Sequence, residues 1–272
     1  MNQPQPYISE APVNSVPSVR FPPGVPIAPL GLNESCFGAS PRAMAAARER
    51  ASSLWAYPDP ASTALREALG QLHGIDPEQI VCGNGSEELL DVVARVYVRA
   101  GDEIVFPAHG FMQFPVVAMR LGAIAVPVPE REHTIDVDAL LNRIGARTRM
   151  VLIANPNNPT STCIGPDARA RLVAGVPPHV VLLIDAAYAE YVIEKSYSIG
   201  HEFVIGRDNV LITRTLSKAY GLAALRVGWA HCPLAMARLM NQIRGVGNIN
   251  ALAQSASIAA LEDQAFVQHV AH

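Results

Sequence analysis

The sequence predicts an α/β fold, a mostly parallel sheet with helices on both faces, and three observations carry that prediction. Seven short apolar runs follow one another from about Gln79, separated by stretches of helical character: Ile80-Val81-Cys82, Ile104-Val105-Phe106, Ile124-Ala125-Val126, Met150 to Ile153, Val180 to Ile184, Val210-Leu211-Ile212 and Val227-Gly228-Trp229. Several of these runs lack the polar alternation of a half-exposed strand, as strands covered on both faces must. The chain has 272 residues, half of them hydrophobic and 17% charged, which is long enough and apolar enough to bury such a sheet.

Taken in order, residues 1–30 hold eight prolines and little apolar periodicity, so they read as an extended arm that lies across a partner subunit. Helices are expected over Pro41 to Arg50, opened by Ser40 as cap and Pro41 in the first turn, and over Thr63 to Leu72. Between them Leu54-Trp55-Ala56-Tyr57-Pro58-Asp59-Pro60 forms an aromatic turn. Ligands of a parallel sheet sit at the carboxyl ends of its strands, so the residues after each run are the candidates for chemistry.

After the first run, Gly83-Asn84-Gly85-Ser86-Glu87-Glu88-Leu89 is a glycine-rich turn opening a helix through Arg99. Its free amides and positive helix end offer an anion site, and equally suit a plain turn with Ser86 as N-cap. No lysine follows it and the third glycine of a dinucleotide fingerprint is missing, so neither of those nucleotide motifs is present. The second run ends at Phe106-Pro107-Ala108-His109-Gly110-Phe111, whose aromatics either cover a flat ring or pack in the core. The fourth ends at Asn155-Pro156-Asn157-Asn158-Pro159-Thr160, a rigid turn suited to presenting an amide to a ligand oxygen. Asp185 closes the fifth, with Tyr188 three residues on. A carboxylate after five apolar residues is either a partly buried group needing a cation or several donors, or a helix N-cap.

A net charge of -3 gives no basic footprint, which argues against nucleic acid and anionic membranes as partners. Cys36, Cys82, Cys163 and Cys232 form no C-x-x-C pair and read as buried small residues in a reducing compartment. The eight histidines show no metal-ligand spacing, and no metal is expected. With no leader pattern and no apolar run of membrane-spanning length, a cytoplasmic protein is expected.

The chain has only two lysines. Lys195 sits in the polar Glu194-Lys195-Ser196 and reads as surface. Lys218 follows Thr215 and Ser217 and precedes Arg226 by eight residues. An amine flanked by anion-binding groups suits a carbonyl cofactor that carries a phosphate.

The order of these pieces, from the glycine turn through N-P-N-N-P-T, D-x-x-Y and Thr215-Leu216-Ser217-Lys218-Ala219 to Leu225-Arg226-Val227-Gly228, resembles fold-type I pyridoxal-phosphate enzymes. The resemblance is greatest to the histidinol-phosphate aminotransferase branch of class I/II, and runs from about Leu32 to Ala256. It implies a large cofactor-binding domain over 56–247, an N-terminal part of a small domain over 31–55, and a truncated start of the carboxy-terminal domain over 248–272. In that last part Gln254 to Glu262 reads as a helix, and the family's substrate-carboxylate arginine lies beyond it.

By the same resemblance, Lys218 would bond the carbonyl of pyridoxal 5'-phosphate and Asp185 would pair with its ring nitrogen. Asn158 and Tyr188 would bond the ring hydroxyl, and Phe111 would cover the ring. Thr215, Ser217, Arg226 and the amides of Gly85, Ser86 and Glu87 would hold the phosphate, while Tyr57 would reach the cofactor of a partner subunit in a homodimer. Ser161, Ala186 and Ser35 to Phe37 depart from the family's usual residues without removing a cofactor group. The implied reaction moves an amino group from an amino donor, histidinol phosphate or an aromatic amino acid, to a 2-oxo acid. A decarboxylase or lyase of a phosphorylated amino acid and a non-catalytic cofactor-binding remnant stay open beside it.

Overall fold

The structure, a computed structural model, describes residues 30–272. The proline-rich arm, apart from its last residue, lies outside the described residues. All seven apolar runs become strands of one sheet: β1 (Ile80–Asn84), β2 (Glu103–Pro107), β3 (Ile124–Val128), β4 (Thr148–Ala154), β5 (Val181–Asp185), β6 (Val210–Thr215) and β7 (Val227–His231). Their spatial order is β1-β7-β6-β5-β4-β2-β3. Neighbours pair in parallel except at β7, which runs antiparallel to both β1 and β6.

The alternation of side chains along each strand divides the core in two. From β4, Met150, Leu152 and Ala154 face one side with Leu89, Val93 and Phe114. Val151 and Ile153 face the other with Leu140, Leu172 and Val173. The first layer is built by α3 (Ser86–Tyr97), α4 (Gln113–Arg120) and α7 (Leu234–Ile243), the second by α5 (Val137–Arg143) and α6 (Pro166–Gly175). Both faces are covered, which is why these strands read as uninterrupted apolar runs.

A third cluster joins α1 (Pro41–Arg50), α2 (Thr63–His73), α8 (Ala251–Leu261) and α9 (Gln264–Ala271) to the β1 and β7 side through Ala43, Leu65, Trp229 and Ala253. Helix α1 starts where expected, with the Ser40 hydroxyl accepting from the Ala43 amide at 3.1 Å. Helix α9 carried no boundary signal that the sequence reading detected.

Three expectations are corrected. Helix α3 stops at Tyr97 instead of Arg99, because Val98 turns extended and the Arg99 amide donates instead to the Asp102 carboxylate at 2.8 Å. Its N-cap is Gly85, at φ +85°, so Ser86 is the first helical residue and its hydroxyl makes no capping bond. Cys82 and Cys232 are buried, but Cys36 and Cys163 are exposed, since both sit in connections outside the sheet and helices.

Topology sets the working end of the molecule. Because β7 runs against its neighbours, the residue that precedes it, Arg226, lies at the same end as the carboxyl ends of β1 and β6. Gly228 pairs with Gly83 on one side and Thr215 on the other. A Cβ on Gly228 would lie 2.2 Å from the Ser86 amide nitrogen and 2.4 Å from the Gly85 carbonyl carbon, both backbone. Gly228→Ala is therefore expected to lower the unfolding free energy by about 2–3 kcal/mol. Gly145→Ala, with nothing within 4 Å of its added Cβ, should shift it by less than about 0.5 kcal/mol. Urea midpoints at constant slope measure both, and equal shifts would contradict the close-packing argument.

Candidate functional site

A cavity of about 520 Å³ opens at the carboxyl ends of the strands. Its walls bring together ten of the twelve residues that sequence reasoning singled out: Ser86, Glu87, Phe111, Asn158, Asp185, Tyr188, Thr215, Ser217, Lys218 and Arg226. Gly85 stands directly behind, where the Arg226 guanidinium fills the space that a side chain would need. Tyr57 is not part of this cavity. It is 97% exposed beside Leu54, Trp55 and Pro58, at a separate surface depression.

One end of the cavity is an anion cup. The Thr215 hydroxyl donates to the Ser217 hydroxyl at 3.0 Å and accepts from the Ser217 amide at 3.1 Å. Arg226 donates to the same Ser217 oxygen at 3.2 Å. The first turn of α3 faces this cluster with no side-chain cap, so its free amides add to the guanidinium's positive field.

Asp185 lies deeper, 3% exposed at the end of β5. Burial raises its pKa to about 6, against the lowering effects of the Thr213 hydrogen bond and of Arg214 and Lys218. Thr213 pairs with it across the β5–β6 ladder and donates to Oδ1 at 2.9 Å. The opposite carboxylate oxygen is left available to a further donor.

Lys218 is half-buried on the turn after β6. Burial first, then the Arg226 guanidinium, lower its pKa, opposed by Glu34 and Asp185. Its Nζ donates to the Leu32 carbonyl at 2.8 Å and stands 5.6 Å from the centre of the Tyr188 ring. The Tyr188 hydroxyl accepts from Asn33 Nδ2 at 3.0 Å, and burial raises its pKa.

The N-P-N-N-P-T turn divides its amides between structure and cavity. Asn155 Oδ1 accepts from the Ile164 amide at 2.8 Å, and Asn157 Nδ2 donates to the His109 carbonyl at 3.0 Å and to Thr160 Oγ1 at 2.8 Å. Asn158 faces the cavity. Phe111 enters from the segment after β2 and meets Phe114 edge-on at 5.9 Å, so it serves the core and the cavity wall together.

Sequence reasoning missed Thr213, Asn33 and the Leu32 carbonyl. Thr213 had a signal, a hydroxyl inside a buried apolar strand. The Leu32 carbonyl had none, because a backbone acceptor reached over 186 residues leaves no trace in residue type. Among the described residues, no three His, Cys, Asp or Glu side chains converge as a metal site. The arrangement can hold a phosphate in the cup, form a bond from Lys218 to a carbonyl, and set a buried carboxylate against a ring nitrogen.

Comparison with known proteins agrees with this chemistry. A histidinol-phosphate aminotransferase of Rhodospirillum centenum is 49% identical over 237 residues, which is 87% of this chain and 66% of the relative. A second, of Rhodopseudomonas palustris, is 46% identical over 238 residues, 88% of this chain and 65% of the relative. The crystal structure of histidinol-phosphate aminotransferase from Sinorhizobium meliloti in complex with pyridoxal-5'-phosphate superposes with a TM-score of 0.85 at 32% identity, covering 89% of this chain and 66% of that one. The chain thus spans just under two thirds of the length of these relatives. The family model described as aminotransferase class I and II matches residues 25–272, and with a lysine, a buried aspartate and an anion cup meeting in one cavity, the chain belongs to that family.

Proposed function

We propose that the cavity binds pyridoxal 5'-phosphate and that the protein is an aminotransferase moving an amino group from histidinol phosphate to a 2-oxo acid. The observation that carries this reading is the convergence of Lys218, Asp185 and the Thr215–Ser217–Arg226 cup on one 520 Å³ space. The named function of the relatives supports the substrate. When bound, the cofactor supplies a protonated ring that accepts the electron pair left as a substrate α-proton departs.

The residues present fit that group. Thr215, Ser217, Arg226 and the amides from Gly85 to Glu87 would hold its phosphate, Phe111 would cover its ring, and Asn158 and Tyr188 would bond its hydroxyl. Asp185 has one oxygen occupied by Thr213, leaving the other to accept from the ring N–H, and that cation would draw its pKa back down. Lys218 Nζ, with its lowered pKa, presents more neutral amine near pH 7 than an exposed lysine does, which suits it to take the α-proton and return it.

The same reading extends to the surroundings. Exposed Leu54, Trp55 and Tyr57 form an apolar patch around the separate surface depression, which suits a second copy in a homodimer, with Tyr57 reaching the partner's cofactor. A cytoplasmic location belongs to the same proposal, and no described helix is long and apolar enough to cross a membrane. The division into 31–55, 56–247 and 248–272 belongs to the same proposal.

Pyridoxal 5'-phosphate added to the purified protein should give a visible band that borohydride abolishes while fixing the cofactor onto Lys218, and Lys218→Ala should show neither the band nor the fixed cofactor. A band unchanged in the variant would sink the assignment. Asp185→Asn should keep the band but lower the amino-transfer rate about 10²–10⁴-fold. Without cofactor, the folded pKa of Asp185 near 6 lies above its ordinary value of 3.8, so the fold favours its protonated form. Its contribution to stability is therefore present below pH 3.8 and lost as pH rises through 6. The stability difference between wild type and Asp185→Asn, from urea titrations across that range, should fall with rising pH, and a flat difference would contradict it.

A further inference from the structure

Beside the first cavity lies a second, open to solvent and of about 790 Å³, bordered by Leu30, Gly31 and Asn33, the N-P-N-N-P-T turn, the start of α6 and the segment from Tyr188 to Tyr197. The two share Gly31, Asn33, Pro156, Asn158 and Tyr188 as a common wall. None of the proposed chemistry at Lys218 uses this space.

Its wall carries an arginine in an unusual state. Arg169 is 2% exposed, on the first turn of α6, with its guanidinium 5.2 Å from the Tyr197 ring centre and 5.9 Å from that of Phe203. Nη1 donates to the Ser198 carbonyl and, at 3.2 Å, to the Ser198 hydroxyl. Nε is buried with no acceptor, and among the described residues no carboxylate pairs with Arg169. Burying a cation without a counter-charge is costly, and two aromatic faces offset only part of that cost.

The neighbouring Asn157, 3% exposed, also lines the cavity and has a buried Oδ1 with no donor. Among the lining residues Glu194 is the one carboxylate, and it is exposed at the rim.

We propose that this second cavity binds a small oxyanion, a phosphate or a carboxylate, whose oxygens accept from Arg169 and whose own hydroxyl, where it has one, donates to Asn157. The site is independent of the cofactor reading, because Arg226 and the cup around Ser217 lie in the other cavity. Its occupant would press on Asn158 and Tyr188 from the side away from Lys218.

Cys163 lines this cavity and is exposed, while Cys36 is exposed and lines neither. Their rates of alkylation by iodoacetamide, resolved by peptide mass spectrometry at mildly alkaline pH, therefore report the site with an internal reference. Inorganic phosphate and glutarate form the two arms, each against sodium chloride at equal ionic strength. An anion at about nine times its Kd should slow Cys163 about tenfold and leave Cys36 unchanged. Protection by phosphate alone, by glutarate alone or by both supports the site and names its source.

Arg169→Met should return Cys163 to its anion-free rate, and Arg169→Lys, which keeps the charge but loses the fork, should protect less than wild type. Absence of protection in the wild type overturns the proposal without any variant. Equal protection in wild type and Arg169→Met overturns it as well.

Discussion

One backbone contact holds the working end of this molecule together: the near-touching approach of Gly228 in β7 to the Gly85-Ser86 peptide. A strand running against its neighbours must present its beginning where they present their ends. That inversion puts Arg226 beside the α3 amino terminus and beside the turn carrying Ser217 and Lys218. Each of these groups carries positive charge or free donors, and alone they would repel. Covalent topology holds them close, and the concentrated field becomes attraction for an anion.

The second determinant is desolvation. Asp185 and Lys218 occupy the same cavity and are driven toward neutrality from opposite sides, the acid upward and the amine downward. Two groups of opposite charge normally hold each other ionised. Here burial outweighs that attraction for both. The consequence is a site whose charges become most favourable once something bridges them, which a ring bearing a basic nitrogen at one end and a carbonyl at the other is shaped to do.

Much of this was legible in the chain. Two-sided burial leaves a mark on residue type, so all seven strands could be read from apolar runs, and Ser40-Pro41 announced the start of α1. Asp185, Asn158 and Lys218 stood out because polar residues follow strands at an end where only ligands need them, and Arg226 because it stands eight residues after the lysine. What stayed hidden was set by partners distant in sequence. Arg214 pairs with Glu190 at 3% and 11% side-chain exposure, yet in sequence each looks like an ordinary surface charge. Arg169 and Arg171 stand two residues apart in Ala168-Arg169-Ala170-Arg171, and it is the packing of Tyr197 and Phe203, remote in sequence, that sets Arg169 apart. Cys163 reads as a buried thiol because residue type carries no information about which loop faces outward.

The distribution of amines has a consequence for selectivity among reagents. With 21 basic residues and two lysines, nearly all the basic side-chain charge of this chain resides on guanidinium groups, which do not shed a proton under ordinary conditions and so do not attack carbonyls. Lys195 is exposed and Lys218 is half-buried with its pKa lowered. An aldehyde diffusing over the described surface meets one exposed lysine and one half-buried lysine whose pKa is lowered. The composition thus limits the side-chain amines open to such a reagent to two, one of them inside the cavity.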